Sequence, residues 1–261
     1  MIIDQGCLGL QNDSSLSTKH IQLKYDGNLM AENKPENTLI DSSDPAASAE
    51  YIEKYLGQKE QALKALPADA PDIDRARLNL DIAEARVGIT QGDEAWELAR
   101  AALDIFIDNE CWQEAVEACD VLYQTNQPAS LVALAHGVWL AVTYPVDPQL
   151  AINMLGYIID ETPSNADGAA VAAITAHYIA DMRADEKQRE SLTFLTNEMV
   201  ANVARAHSKV EDQEALSAWM ERLRLHDPAD FLPKLALVLG AIVPPEQWWF
   251  DRDELRDKLP D

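Results

Sequence analysis

The side chains best suited to acid–base or metal chemistry lie on two apolar stretches and in the turn after the second. Asp181, Asp185 and Glu186 place three carboxylates within six residues, and the i, i+4 spacing of the two aspartates suits a divalent cation. His136 and His177 lie on the apolar stretches, where an imidazole can act as a ligand or a general base. Convergence of these residues in space would make the protein an all-helical enzyme with a carboxylate and histidine metal site.

The same residues have structural interpretations, which the sequence favours. A histidine on an apolar helix is more often a hydrogen-bonded core residue than a ligand, and no HExxH or Glu-x-x-His spacing is present. Asp185 precedes a predicted helix, where a carboxylate caps free amide groups and Glu186 adds favourable charge. No P-loop, dinucleotide-binding glycine pattern or nucleophile elbow occurs. We therefore expect no catalytic residue, no metal and no cofactor.

The three cysteines also favour a structural interpretation. Cys7, Cys111 and Cys119 form neither a disulfide framework nor a CxxC metal knuckle. A buried free cysteine behaves as a small apolar side chain, and we expect this of Cys111 and Cys119, which are eight positions apart on one predicted helix.

The charge balance bears on the class of partner. The 261 residues include 21 basic and 45 acidic side chains, which gives a net charge of −24. Binding to nucleic acid or to an anionic membrane depends on basic side chains, so neither partner is expected. A protein partner with a basic surface is favoured electrostatically, and the alternative is that the acidity only keeps the chain soluble. The first residues lack the basic and apolar regions of a signal peptide, so we expect a cytoplasmic protein.

An aromatic run near the C-terminus is the sharpest candidate interaction site. Trp248, Trp249 and Phe250 follow a Pro-Pro pair and precede Asp251. Clustered aromatic residues beside proline and charge are typical of an interface hot spot, and also of a segment that seals the end of a helical stack. These two interpretations are compatible. The predicted partner-binding residues are Trp248, Trp249, Phe250, Asp251 and Trp139, the last lying on the most apolar predicted helix.

Proline and aspartate mark the helices that would position this site. Asp-Pro pairs at 44–45, 147–148 and 227–228 combine an N-cap with a proline that fits the first helical position. Pro233 is expected to kink the last predicted helix or to delay its start. The predicted helices cover 45–66, 72–90, the residues after the Gly92-Asp93 cap up to 107, 111–124, 128–144, 148–161, 185–209, 211–226 and 228–241. Asp251 and Glu254 are spaced as a capping box for a short final helix.

The core is predicted to centre on residues 128–180. The helix over 128–144 is apolar on all sides, which is typical of a helix buried by several neighbours. The run of small residues at 168–173 lets helices approach closely, and we expect the tightest crossing there. Residues 1–43 are polar and predict a flexible segment, although the alternation over 20–25 before Asp26-Gly27 is also a strand and hairpin signal.

One short pattern occurs three times along the chain. Gln, any residue, Ala and an aliphatic residue begin at 113, 149 and 213, and a proline follows about a dozen residues later at 128, 163 and 228. This pattern resembles the second helix of a tetratricopeptide (TPR) repeat, with Ala115, Ala151 and Ala215 at the small position. The first two prolines are separated by close to the family's period of roughly 34 residues. The next interval is about twice as long and holds three predicted helices, and the family's Trp, Leu-Gly and Tyr positions are not matched.

The resemblance implies an all-α, TPR-like helical-hairpin array, an α-solenoid of about ten helices. The predicted organisation is a flexible or partly extended segment over 1–43, a helical domain over 44–243 and an aromatic-rich cap over 244–261. Arrays of this type offer surfaces for peptides or partner proteins. The predicted function is therefore a non-enzymatic interaction module, an adaptor or assembly chaperone. The alternatives are the metal enzyme described above and a structural subunit of an obligate complex.

Overall fold

The computed structural model describes residues 45–89 and 92–259. The predictions for residues 1–43 and for the Asp44 cap lie outside the described residues. Within these two ranges the protein is all-helical, with eleven α-helices and one 3₁₀ turn. The helices are α1 (Pro45–Ala65), α2 (Asp72–Gly88), α3 (Gly92–Asp108), α4 (Trp112–Gln124), α5 (Ser130–Thr143), α6 (Pro148–Glu161), α7 (Asp167–Arg183), α8 (Arg189–Ser208), α9 (Gln213–Arg222), α10 (Pro228–Ile242) and α11 (Arg252–Asp257); the 3₁₀ turn is Pro245–Gln247.

The helices stack as an array of antiparallel neighbours, which confirms the predicted fold class. Each helix from α1 to α8 packs against the next, most extensively in the pairs α2 with α3, α4 with α5 and α6 with α7. The even-numbered helices α2, α4, α6 and α8 also contact one another in order. The last long helix, α10, leaves this order and packs across α5 and α7. Two of the three helices that carry the repeated pattern, α4 and α6, thus come first in a close pair, whereas the third, α9, makes only a small contact with α8.

Aspartate caps define several helix starts as predicted. The side chain of Asp147 accepts hydrogen bonds from the amides of Gln149 and Leu150, and Asp227 accepts from the amide of Ala229. Asp185 accepts from two amides in the turn before α8 rather than inside that helix, which begins at Arg189. The predicted starts of α6 and α10 are therefore confirmed, and α8 begins a few residues later than predicted.

Two predicted boundaries differ for reasons visible in the backbone. The helix predicted over 211–226 ends at Arg222, because Arg224 adopts a left-handed backbone conformation with φ of 50°. The helix α10 runs from Pro228 through Pro233 to Ile242, so Pro233 neither delays its start nor ends it. Pro233 is the sixth residue of the helix, so α10 lacks the one hydrogen bond that an N–H group at this position would donate.

The core lies around α5, as predicted. Ten of the fourteen residues of α5 are buried, including Leu134, Val138 and Leu140, because α4, α6, α10 and the chain after α10 surround this helix. Arg183 of α7 closes the C-terminal end of α5 by donating to the carbonyl oxygens of Ala141 and Val142 at 2.6 and 2.7 Å.

The closest contact at a glycine lies at Gly137, outside the run of small residues at 168–173. At Gly137, an added Cβ would lie 2.7 Å from the Cβ of Cys119 and 2.3 Å from the methyl group of Met154. At Gly168, the nearest atom would be 3.3 Å away, on Val238 of α10. Residues 169–173 are buried, as expected for small side chains between helices. The tightest approach at a glycine is therefore made by α5 against α4 and α6.

A polar contact on the other side of the array joins α4 to α6. The hydroxyl of Tyr123 donates to the carboxylate of Glu161 at 2.7 Å, and its ring lies 4.8 Å from the ring of Tyr157. Burial, with the negative charges of nearby carboxylates, raises the pKa of both tyrosines. These two phenols are therefore held in their neutral form.

Candidate functional site

The predicted partner-binding residues lie on a stretch that we call the C-terminal segment, residues 243–257. Pro244 and Pro245 stop α10, and the chain continues through the 3₁₀ turn into an irregular run, Trp248 to Phe250, which bends at its last two residues. Asp251 then starts α11, since its side chain accepts hydrogen bonds from the amides of Asp253 and Glu254. The predicted capping role of Asp251 is confirmed.

The C-terminal segment folds back onto α3 and α5. The six rings that meet there form a cluster, which we call the aromatic cluster: Trp96, His136, Trp139, Trp248, Trp249 and Phe250. His136 is its centre. Ring centroids lie 4.6, 4.4 and 5.1 Å from His136 for Trp248, Trp249 and Phe250 in turn. Three consecutive residues of the segment thus contact one imidazole.

Two hydrogen bonds fix the protonation state of His136. Its Nδ1 lies 2.6 Å from the carbonyl oxygen of Val132, which can only accept, so Nδ1 carries the proton. Its Nε2 accepts from the backbone N–H of Trp249 at 2.9 Å. The side chain is fully buried, and this burial lowers the pKa of His136 to about 4, with Arg100 and Arg252 adding to the effect and the Val132 carbonyl opposing it. The imidazole is therefore neutral near pH 7.

Three arginines lie over the tryptophan rings of the aromatic cluster. The guanidinium carbon of Arg252 is 4.1 Å from the ring centroid of Trp248, and that of Arg100 is 4.5 Å from Trp249. Arg256 lies over Trp139 at 5.8 Å. A cation over an indole face is attracted by the ring quadrupole, most strongly when both groups are partly shielded from water. The cluster thus already accommodates guanidinium groups from α3 and α11.

An open groove of about 450 Å³ lies on the outer side of the C-terminal segment. Its lining residues are Pro245, Trp248, Trp249, Phe250, Asp251, Arg252 and Asp253. The three aromatic residues are half-buried, whereas Asp251 and Asp253 are exposed. The indole Nε1 of Trp248 is buried and has no hydrogen-bond partner among the described residues. An unpaired buried donor is uncommon and costs about 1–3 kcal/mol.

The structure brings four of the five predicted partner-binding residues into one contact group. Trp139 packs against Trp248 and Phe250 at 6.2 and 5.5 Å, and it is 6 % exposed. Trp249 stacks on His136 next to them. Asp251 lies at the edge of the group and faces the groove. The segment therefore covers the array, as a sealing element does, while one side of its aromatic residues remains accessible.

The residues of the alternative metal site have separate partners. His136 bonds to the C-terminal segment, and His177 lies 3.1 Å from the hydroxyl of Thr196. Asp181 lies near Arg189, and Asp185 caps the turn before α8. In the part of the chain that the structure describes, no group of three or more His, Cys, Asp or Glu side chains is arranged to hold a metal ion.

The sequence did not identify three residues that build the site. Trp96 and Arg100 of α3 contact Trp249, and Tyr144, at the end of α5, donates its hydroxyl proton to the carbonyl oxygen of Leu255 at 2.6 Å. Trp112 stacks on Tyr144 with ring centroids 3.7 Å apart. No local pattern in the sequence links these residues to a segment more than 100 positions away.

A second polar group joins α7, α8 and α9. His207 Nε2 lies 3.1 Å from a carboxylate oxygen of Asp167, and Nδ1 lies 2.6 Å from the hydroxyl of Ser208. The order Asp, His, Ser is that of a hydrolase triad, but here Nδ1 also accepts from the buried indole of Trp219, and the Ser208 hydroxyl accepts from Arg222. Ser208 ends α8, where the helix dipole disfavours an oxyanion. The arrangement serves to fasten α9 to the array.

None of the described helices combines the length and apolar character needed to cross a bilayer. Comparison with protein-family models, curated proteins and solved structures found no match to this chain, so the site is interpreted from its own geometry.

Proposed function

We propose that this protein is a non-enzymatic interaction module that binds a basic segment of a partner protein in the groove on its C-terminal segment. In concrete terms it is a cytoplasmic adaptor or assembly chaperone built on a TPR-like scaffold. The observation that carries the proposal is the groove's lining, in which three aromatic side chains lie beside the exposed carboxylates of Asp251 and Asp253.

Aromatic faces and carboxylates together suit a guanidinium or ammonium group. A cation over an indole gains about 0.5–1 kcal/mol at an exposed site and about 2 kcal/mol when desolvated. A carboxylate has about four lone-pair positions, and Asp251 uses two interactions at Oδ1 for its cap. An arginine of a partner can therefore pack against the exposed parts of these aromatic side chains while it donates to a carboxylate, as planar bidentate donors do.

The aromatic cluster's internal contacts support the same chemistry. Arg252 and Arg100 already lie over Trp248 and Trp249, so the indole faces are suited to this type of ligand. The net charge of −24 adds a long-range attraction for a basic partner, which raises the association rate at low salt.

Calorimetric titration of the full chain with designed peptides tests the proposal. The probe is a Gly-Ser peptide with two arginines, and the matched control carries citrulline, which has the same shape without the charge. We expect the arginine peptide to bind about tenfold or more tightly than the citrulline peptide, since a tenfold difference corresponds to only about 1.4 kcal/mol. Its affinity falls as salt concentration rises, because the attraction between exposed charges is screened.

A pair of charge variants locates the binding site. Asp253→Asn removes an exposed carboxylate of the groove, and Glu198→Gln removes an exposed carboxylate on α8. We expect the first to weaken the arginine peptide severalfold and the second to have little effect, since local pairing outweighs distant charge at moderate salt. Equal binding of the arginine and citrulline peptides, or equal effects of the two variants, would contradict the proposal.

A further inference from the structure

The C-terminal segment lies on α3 and α5 in the way that a bound peptide lies on a receptor. His136 accepts from the backbone N–H of Trp249, and Tyr144 donates to the backbone carbonyl of Leu255. Both bonds join an array side chain to the main chain of the segment. Bonds of this type hold an extended chain in place whatever its side chains are, and pockets for individual side chains then supply the specificity.

The side-chain contacts show which residues such a surface selects. Trp249 is placed between the edge of Trp96, 6.1 Å away, the face of His136 and the guanidinium of Arg100. Phe250, the next residue, packs against Trp139 at 5.5 Å. Two adjacent aromatic side chains are therefore both contacted by the array, and both of their rings also lie against His136.

The segment is an imperfect occupant of this surface. The indole N–H of Trp248 is buried without a partner in the described ranges, and Trp248, Trp249 and Phe250 each remain only half-buried. The link to α10 is the short turn 244–247, whose residues 245–247 are exposed. The unpaired donor weakens the segment's hold, and the exposed link makes few contacts that would resist release of the segment.

We propose that the face formed by Trp96, Arg100, His136, Trp139 and Tyr144 is a peptide-binding surface. Its partner is a segment with two adjacent aromatic residues just before a short helix, and residues 248–255 of this chain occupy the surface as a tethered competitor. This inference goes beyond the proposed function, because the basic segment binds the outer groove and this surface lies beneath it. A tether of a few residues gives a local concentration in the millimolar range, so a partner must bind more tightly than the chain's own segment.

Cleavage of the link after folding tests the proposal. A protease recognition sequence inserted between Glu246 and Gln247, both exposed, allows the intact array to fold before it is cut. We expect the released piece to separate on dilution while the array keeps its helical circular dichroism. A labelled synthetic peptide of residues 247–261 then binds the cut array. It binds the uncut chain about tenfold or more weakly, because the tethered copy competes at high local concentration.

Three results would overturn the proposal. They are loss of helix content when the piece separates, equal binding of the peptide to cut and uncut protein, and undiminished binding of a control peptide in which both tryptophans are alanine. Amide hydrogen exchange on the unmodified chain provides a measurement that needs no insertion. We expect the amide of Trp249 to exchange much faster than the amides of α5, and equal protection would show that the segment opens only when the whole array unfolds. The arginine-peptide titration uses the uncut chain, in which the segment and its groove are in place, so failure of one proposal can be told from failure of the other.

Discussion

The imidazole of His136 accepts a hydrogen bond from the backbone N–H of Trp249, 113 residues further along the chain. This bond exists only while Nε2 is unprotonated, because a protonated imidazole has two donors and no acceptor. It ties the most buried helix of the array to the segment that carries the candidate site. The protonation of one side chain is thereby coupled to the position of the site.

The first prediction concerns stability at acid pH. Burial lowers the pKa of His136 to about 4 in the folded protein, whereas an exposed histidine has a pKa of 6.5, so the unfolded chain takes up this proton first as pH falls. Above pH 6.5, His136 is neutral in both states and does not change the free energy of unfolding. As the pH falls from 6.5 to about 4, protonation of the unfolded chain lowers the free energy of unfolding. The loss amounts to about 2 kcal/mol between pH 7 and pH 5. Urea unfolding at both pH values measures it.

The control for this prediction is His136→Gln, which retains an acceptor but does not titrate. Carboxylates also titrate below pH 6, so the informative quantity is the difference between the two proteins. The variant is expected to lose about 2 kcal/mol less than the unmodified protein over this range. Parallel stability curves for the two would show that His136 is not the titrating group.

The second prediction concerns the other end of the C-terminal segment. Tyr144→Phe removes the hydroxyl that donates to Leu255 and leaves a carbonyl without this partner. The free energy of unfolding should fall by about 1–2 kcal/mol, and the amides of α11 should exchange faster. Tyr51→Phe, at an exposed position of α1, serves as the comparison and should change stability by less than about 0.5 kcal/mol. If both variants behave alike, the bond to Leu255 does not hold the segment.

The third prediction concerns the crossing at Gly137. Gly137→Ala places a methyl group 2.7 Å from the Cβ of Cys119, which cannot move without its helix, and we expect a loss of about 1–3 kcal/mol. Gly57→Ala makes the same change in α1, where nothing lies within 4 Å of the added atom. That variant should gain about 0.5–1 kcal/mol from helix propensity. Thermal unfolding of the two variants measures the predicted loss and the predicted gain in stability. If Gly137→Ala left the stability unchanged, α4 and α5 would have to be further apart.

The fourth prediction concerns alkaline pH. The pKa values of Tyr123 and Tyr157 are raised, first by burial and then by nearby carboxylates. A raised folded pKa contributes stability that is complete below the unfolded value of 10 and is lost as pH rises above it. Absorbance at 295 nm should show these two phenols among those that stay neutral above pH 10 in the folded protein, beside Tyr55 and Tyr144, whose pKa values burial also raises. Tyr123→Phe and Tyr157→Phe should each remove one of these late-titrating groups, and an unchanged titration would contradict the assignment.

Features set by local sequence were predicted well. Asp147 and Asp227 cap their helices because the Asp-Pro pair determines both the cap and the first helical dihedral angle within two residues. The burial of α5 was equally predictable, since a helix without a polar face must be covered on several sides. The capping role of Asp251 follows from the same local chemistry.

Contacts that form where α10 and the C-terminal segment fold back onto earlier helices were not predictable from the sequence. After α8 the regular order of neighbours ends, and α10 crosses α5 and α7 instead of extending the stack. No periodicity in the sequence indicates that change of direction. The contacts of Trp249 with Trp96 and His136 could therefore not be predicted from the sequence. The predicted partner-binding set therefore contained the segment's own residues and Trp139, but not the residues of α3 that receive it. The tight crossing at Gly137 was missed because it depends on two side chains from neighbouring helices.

The stacking of the C-terminal segment on the array also gives the molecule a built-in optical reporter. Five of its six tryptophans, all except Trp219, lie at this contact, either in the aromatic cluster or stacked on Tyr144. Their emission and their coupled near-ultraviolet dichroism depend on how these rings are arranged. Movement of fifteen residues at one end of the chain will therefore dominate the intrinsic fluorescence of the whole protein, without any attached dye.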